Sequence, residues 1–234
     1  MKNIFIRLFV LVVSTANGQA PDTVQKKKTA PFNKSWVYGG QFQVAWNGIY
    51  GENLPGTYFY KPGAAFAGMV EYYPLPYIGL GTGLGYAARG PGKKNADVDN
   101  SVGNADSSYR EHYYFRNIDL PVYLSLRSPA LLGNRLRFSS RLGAGWSRNY
   151  KSMYVFHSVE DGFHDYQNLS SEFYKRDWYT LASVGFDYNS GEQTLFQVQF
   201  YWQRGHNNIF NRVEKYGNAV GHNQNYGISF SVFY

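Results

Sequence analysis

The stretch from Asn225 to Tyr234 alternates without a break. Tyr226, Ile228, Phe230, Val232 and Tyr234 take one set of positions, and Gly227, Ser229 and Ser231 take the other. Successive side chains of a strand point to opposite faces, so this segment predicts a strand with one apolar face and one small, polar face. Such a strand at the end of the sequence is expected to pair with the first strand and close a barrel, because a closed sheet leaves no edge.

The same period of two recurs upstream in seven further segments: 36–47, 58–72, 77–88, 109–127, 135–153, 172–188 and 193–205. In the first, Trp36, Tyr38, Phe42, Val44 and Trp46 alternate with Val37, Gly39, Gln41, Gln43 and Ala45. In the third, Ile78, Leu80, Thr82, Leu84 and Tyr86 face away from Gly79, Gly81, Gly83 and Gly85, and the glycines leave room for large side chains from elsewhere. Pro74-Leu75-Pro76 predicts a tight turn after the second strand. The segments between strands alternate long, short, long, short, which is the loop pattern of outer-membrane barrels. The predicted fold is therefore all-β: an eight-stranded antiparallel up-and-down transmembrane β-barrel over residues 36–234.

Composition agrees with this picture. Aromatic residues make up 19% of the chain, with 22 Tyr and 17 Phe. The mean hydropathy is only −0.44, as expected when half of each strand faces lipid and half a polar lumen. All five tryptophans, Trp36, Trp46, Trp146, Trp178 and Trp202, fall on the outward phase. With Tyr234 they are expected to form the aromatic girdles at the two membrane interfaces. The inward phase carries Glu71, Asp119, Arg137, Arg141 and Asp187. A small barrel fills its lumen with side chains, so these five are expected to form a structural ion-pair network.

The start of the chain has a different character. Lys2 and Arg7 flank a short apolar run, Leu8 to Val13, followed by Ala16-Asn17-Gly18. This is a signal-peptide pattern over residues 1–18, followed by a basic, proline-containing lead-in at 19–35 that is expected to be flexible and periplasmic. The formal charge of +7 becomes +5 without Lys2 and Arg7, leaving 21 basic against 16 acidic residues. There is no stripe of cations of the kind nucleic acid demands, so no nucleic-acid partner is expected. The expected surroundings are outer-membrane lipid and lipopolysaccharide, with other envelope proteins as partners. With no cysteine, disulfides and thiol chemistry are excluded.

Residues 111–124, Glu-His-Tyr-Tyr-Phe-Arg-Asn-Ile-Asp-Leu-Pro-Val-Tyr-Leu, together with Phe138 to Gly145 and the terminal aromatic strand, resemble the PorT-like outer-membrane β-barrels of Bacteroidota. The resemblance implies an eight-stranded barrel similar to the small OmpA and OmpX barrels, located in the cell outer membrane. Some members of that family serve secretion or assembly machines. A shared fold does not carry a function across.

Candidate chemistry is sparse. Asp97, Asp99 and Ser101 have the spacing of a calcium loop, but Val102 and Ser108 stand where Gly and Glu are required. His157, Glu160, Asp161, His164 and Asp165 cluster in a predicted loop without ligand spacing on a regular element. His206 and His222 flank the last loop, but Asn208 stands where a rim lipid hydrolase would carry serine. The expectation is a protein without catalytic, metal or cofactor sites, acting as a structural or interaction subunit. The alternatives are a lipid A-modifying rim hydrolase and a small-solute pore.

Overall fold

A computed structural model describes residues 35–54, 57–94, 109–131, 135–158, 164–168, 170, 173–190, 194–210 and 217–234. The expected signal peptide and all of the lead-in except Ser35 lie outside the described residues. The Ser35 carbonyl accepts a hydrogen bond from the Tyr73 backbone N–H (2.6 Å).

The strands are β1 (Trp36–Glu52), β2 (Thr57–Phe59), β3 (Lys61–Leu75), β4 (Ile78–Arg89), β5 (Gly92–Lys94), β6 (Tyr109–Arg127), β7 (Leu136–Ser158), β8 (His164–Asn168), β9 (Arg176–Asn189), β10 (Leu195–Gly205) and β11 (Val220–Phe233). Eight of them form an antiparallel ring: β1, β3, β4, β6, β7, β9, β10 and β11. The ring closes where β1 meets β11, in continuous register from Gly39↔Phe233 to Glu52↔Val220. Below that register, Tyr38 and Tyr234 exchange backbone hydrogen bonds at 3.2 and 2.9 Å. The terminal aromatic strand thus closes the sheet, as its alternation requires.

The outward face carries an exposed apolar band, including Phe66, Leu80, Leu84, Val122, Leu142, Phe186 and Phe200. On β9 the band runs from Trp178 to Tyr188. Ten residue steps make about 33 Å of strand, which at a tilt of about 40° spans about 25 Å, the height of a lipid-facing band. Trp36 stacks near Tyr72 (4.6 Å between centroids) at the end where β1 begins, and Tyr234 lies at the same end. Trp46, Trp146, Trp178 and Trp202 lie at the opposite end, with Trp146 opposite Trp178 and Trp46 beside Tyr226.

The structure departs from the sequence pattern in three places. Pro74 lies inside β3 instead of forming the turn: the register shifts between Tyr72 and Leu75, so a bulge accommodates the residue that cannot donate to the ladder. The predicted second strand breaks at Tyr60 into β2 and β3. Two predicted loops contain strands of their own, β5 and β8, which pair with the extensions of β6 and β7. At 19 and 23 residues, β6 and β7 are about twice as long as a bilayer requires. Their upper parts form, with β2, β5 and β8, a sheet in the order β2-β5-β6-β7-β8 that stands above the girdle.

Candidate functional site

The lumen is filled by groups of side chains that follow one another from the end where β1 begins toward the opposite end. In the half of the lumen nearer that end, Val37, Met69, Tyr73, Tyr123, Leu195 and Phe233 form one buried apolar cluster. The β4 glycines make it possible. A Cβ at Gly81 would lie 2.3 Å from the Tyr123 ring, and one at Gly79 would lie 2.7 Å from the Tyr73 ring.

An ionic group that crosses the barrel is interleaved with this cluster: Val37 stands opposite Glu71 in register, and the Tyr73 and Tyr123 hydroxyls donate to Glu71. Glu71 on β3 accepts from Arg141 Nη2 on β7 (2.5 Å), Arg127 Nη2 on β6 (3.3 Å), the Tyr123 hydroxyl (2.9 Å) and the Tyr73 hydroxyl (2.5 Å). Arg127 also reaches Asp187 on β9 through Nε (2.9 Å). Asp187 accepts from Ser139 Oγ (2.6 Å) and Gln197 Nε2 (2.8 Å). Glu71 and Asp187 are both completely buried. Two carboxylates and two guanidinium groups balance, which is what permits ions at this depth. Arg127 and Arg141 also lie over the Tyr73 and Tyr123 rings, at 3.9 and 4.8 Å from the centroids.

Next comes an amide and hydroxyl layer. Gln199 donates to Ser139 (3.1 Å) and Gln41 to Ser231 (3.2 Å). A cavity of about 70 Å³ lies beside it, bounded by Arg141, Tyr123 and Met69 on one side and Arg89, Asp119 and Tyr179 on the other. That is room for about five water molecules. A second ionic layer closes the top of this cavity. Arg89 at the end of β4 pairs with Asp119 on β6, and Asp119 also accepts from Ser147 Oγ (2.7 Å).

The mouth above carries Asp177, which lies one residue beyond Trp178 and so outside the lipid-facing band. Its carboxylate accepts from the backbone N–H groups of His206 (3.1 Å) and Asn207 (3.0 Å) and from Asn223 Nδ2 (3.3 Å). Burial pushes its pKa above the ordinary carboxylate value, against the pull of those donors and of Arg89. The mouth is then covered by a second apolar cluster: Tyr113, Phe115, Phe173, Ile209, Phe210 and Ala219. Asn208 holds Ile209 and Phe210 in place. Its Oδ1 accepts from the N–H groups of Phe210 (3.1 Å) and Gly221 (2.9 Å), and its Nδ2 donates to the Ala219 carbonyl (3.0 Å).

The five charged residues expected in one network are distributed differently. Glu71, Arg141 and Asp187 share the lower layer, but the cation joining them is Arg127. Asp119 stands apart with Arg89. Arg137 is opposite Asp187 in register yet only half-buried, and it makes no ion pair among the described residues. In the sequence pattern Arg127 is the last residue of its strand, and Arg89 falls in the loop just beyond its own. The signal available for Arg127 is its phase, which continues the inward series Asp119, Pro121, Tyr123, Ser125.

His206 and His222 face outward at the rim. The His222 ring stacks on Tyr50 (5.3 Å), and the Tyr50 hydroxyl accepts from Arg204 Nε (2.5 Å). The calcium-like segment at Asp97–Ser108, as well as Glu160 and Asp161, lies outside the described residues.

A barrel closed by its terminal strands, banded with exposed apolar residues and ringed by aromatic girdles, is what an outer membrane requires. The family model for the outer membrane protein β-barrel domain matches residues 47–211, well over half of the chain. The chain belongs to that family. It is an outer-membrane β-barrel, and the outer membrane is its location. No curated protein matches it by sequence. Among solved structures, it is similar to Ail, the attachment invasion locus protein of Yersinia pestis, at 9% identity and a TM-score of 0.40, with 86% of this chain and 100% of that one covered. It is also similar to OprG of Pseudomonas aeruginosa, at 13% identity and a TM-score of 0.41, covering 85% and 95%. The outer membrane protease OmpT of Escherichia coli aligns at 12% identity and a TM-score of 0.36, covering 91% and 99%.

Proposed function

We propose that this outer-membrane barrel is a non-enzymatic interaction subunit that docks an envelope or secreted partner through the sheet standing above the membrane. The observation that supports this most directly is the β2-β5-β6-β7-β8 sheet. Among the described residues it ends at β2 on one side and at β8 on the other, and each of these pairs with a single neighbour. An unpaired edge can accept a partner's strand. Tyr166 on β8 is 64% exposed beside that edge. The Ile118-Asp-Leu-Pro-Val-Tyr-Leu124 stretch of β6 supports placement with the PorT-like barrels of Bacteroidota, and with it a place in a secretion or assembly complex. The lumen argues against a pore, since two ionic layers and an apolar cover lie across it.

The test is chemical cross-linking in intact cells, followed by purification of the barrel in mild detergent. A stoichiometric envelope protein is expected to be captured by the native chain and lost with Tyr166→Lys, while the heat-dependent gel mobility of the barrel is unchanged. A native chain that captures no partner overturns the proposal. In planar bilayers no stable conductance is expected, and lipid A from overproducing cells should keep all its acyl chains. A deacylated product would make the rim histidines catalytic and the protein an enzyme.

A further inference from the structure

The outward face of β6, β7 and β9 carries a group of cations placed in an unusual way. On β7, Trp146 is followed two residues later by Arg148. On β9, read in the opposite direction, Trp178 is followed two residues later by Arg176. Trp146 is opposite Trp178, and Arg148 is opposite Arg176. On the neighbouring pair of strands, Arg116 is opposite Lys151, and Arg148 is opposite Ile118. The three arginines are exposed and Lys151 is half-exposed. Two like-charged cross-strand pairs thus lie side by side.

Like charges directly opposite each other destabilise a sheet unless a counter-charge stands between them. Among the described residues, no carboxylate lies within 4.0 Å of any of these four cations. Their depth identifies the missing partner. Arg148 and Arg176 stand one outward step, about 7 Å of strand, beyond the tryptophan pair. That is where acyl chains give way to headgroups. Guanidinium groups at that depth match phosphate in both charge and geometry, with paired N–H groups that bind two oxygens at once.

We infer that the Arg148–Arg176 and Arg116–Lys151 pairs form a binding site for the phosphate groups of a phosphorylated outer-leaflet lipid headgroup, such as a phosphorylated glycolipid. The tryptophan pair below it receives the first segment of the acyl chains. This site is independent of the β8 edge and of any protein that docks there.

The test uses the full barrel in nanodiscs of neutral phospholipid doped with either phosphorylated lipid A or the same lipid with its phosphates removed. Native mass spectrometry reads the lipid retained. The phosphorylated form is expected to be retained preferentially. Each cation near an anionic surface contributes about fivefold, so Arg148→Gln with Arg176→Gln should lower retention about 25-fold. The thermal unfolding temperature gives an independent readout. The double variant should be less stable than the native chain in phosphorylated lipid, but as stable or more so in uncharged detergent, where only the repulsion is removed. Tyr166→Lys should retain lipid like the native chain. Equal retention of the two lipids, or equal loss of stability in both media, overturns the inference. So does a soluble sulfated glycan that binds the detergent-solubilised barrel and displaces the lipid, which would make the face a site for a soluble polyanion.

Discussion

The lumen contains two ionic layers, and they are held in different ways. The lower one joins β3, β6, β7 and β9 through Glu71, Arg127, Arg141 and Asp187, with Gln197 of β10 added by hydrogen bonding. Glu71 and Arg141 belong to strands separated in the ring by two others. The upper layer, Arg89 with Asp119, joins β4 and β6, which are neighbours already held by a backbone ladder. The lower layer is a crossbar between strands that are not neighbours, packed among the residues of an apolar cluster. The upper is a local clamp beside a cavity. The same chemistry does different work because burial is complete in one place and partial in the other.

The comparison is broken most directly at Glu71. Glu71→Gln leaves Arg127 and Arg141, each with a side chain only 3% exposed, with a single carboxylate, Asp187. Removing one partner of a buried charge group costs about 3–5 kcal/mol. The urea midpoint of the folded barrel in lipid vesicles should fall accordingly. Adding Arg141→Met restores charge balance and should recover most of the loss. A double variant no better than Glu71→Gln would show that packing, not charge balance, holds this layer.

At the upper layer the expected effect is smaller. Asp119→Asn keeps an acceptor for Ser147 and leaves Arg89 next to the 70 Å³ cavity, where water can solvate it. The cost should be about 1–3 kcal/mol, that of an imperfectly satisfied buried polar group. A loss equal to that of Glu71→Gln would mean that the cavity does not relieve the charge. The two layers would then be equivalent.

The ease of reading these layers from sequence follows the same division. Between the girdles one face meets lipid and the other the lumen, so the period of two is imposed at each residue. Trp36 through Trp46 and Tyr226 through Tyr234 show it directly. Above the girdle that asymmetry is lost. Tyr113 and Phe115 pack inward, while Tyr114 and Arg116 are exposed, and the composition of the two faces is too similar to distinguish them. The register shift between Arg116 and Asn117 then places Tyr150 as the extra residue on β7. This changes the phase beyond it, so Ser152 and Tyr154 stand opposite inward-facing Phe115 and Tyr113. Short strands such as β2, β5 and β8 have too few residues to show a period. Phase also does not say which groups pair. Arg137 has the inward phase and stands opposite Asp187 yet is only half-buried and makes no ion pair among the described residues, while Arg127, at the end of its strand, reaches both carboxylates.

The smallest expected effect lies in the mouth, at Asp177, and there the sign is informative. Burial raises its pKa when folded, so between the ordinary and the raised value the folded chain binds more protons than the unfolded one. Stability then falls as pH rises through that window, and the contribution is fully present only below it. Asp177→Asn removes the titrating group and keeps an oxygen to accept from His206 and Asn207. Subtracting the variant's urea midpoint from that of the native chain at each pH isolates the term. The difference should decline as pH rises above the ordinary carboxylate value and level off once pH passes the raised one. A difference that grows with pH would mean that the donors from His206, Asn207 and Asn223 outweigh desolvation. The mouth would then be another well-satisfied ionic layer, like the one around Glu71, and not a place where a charge is held at a cost to stability.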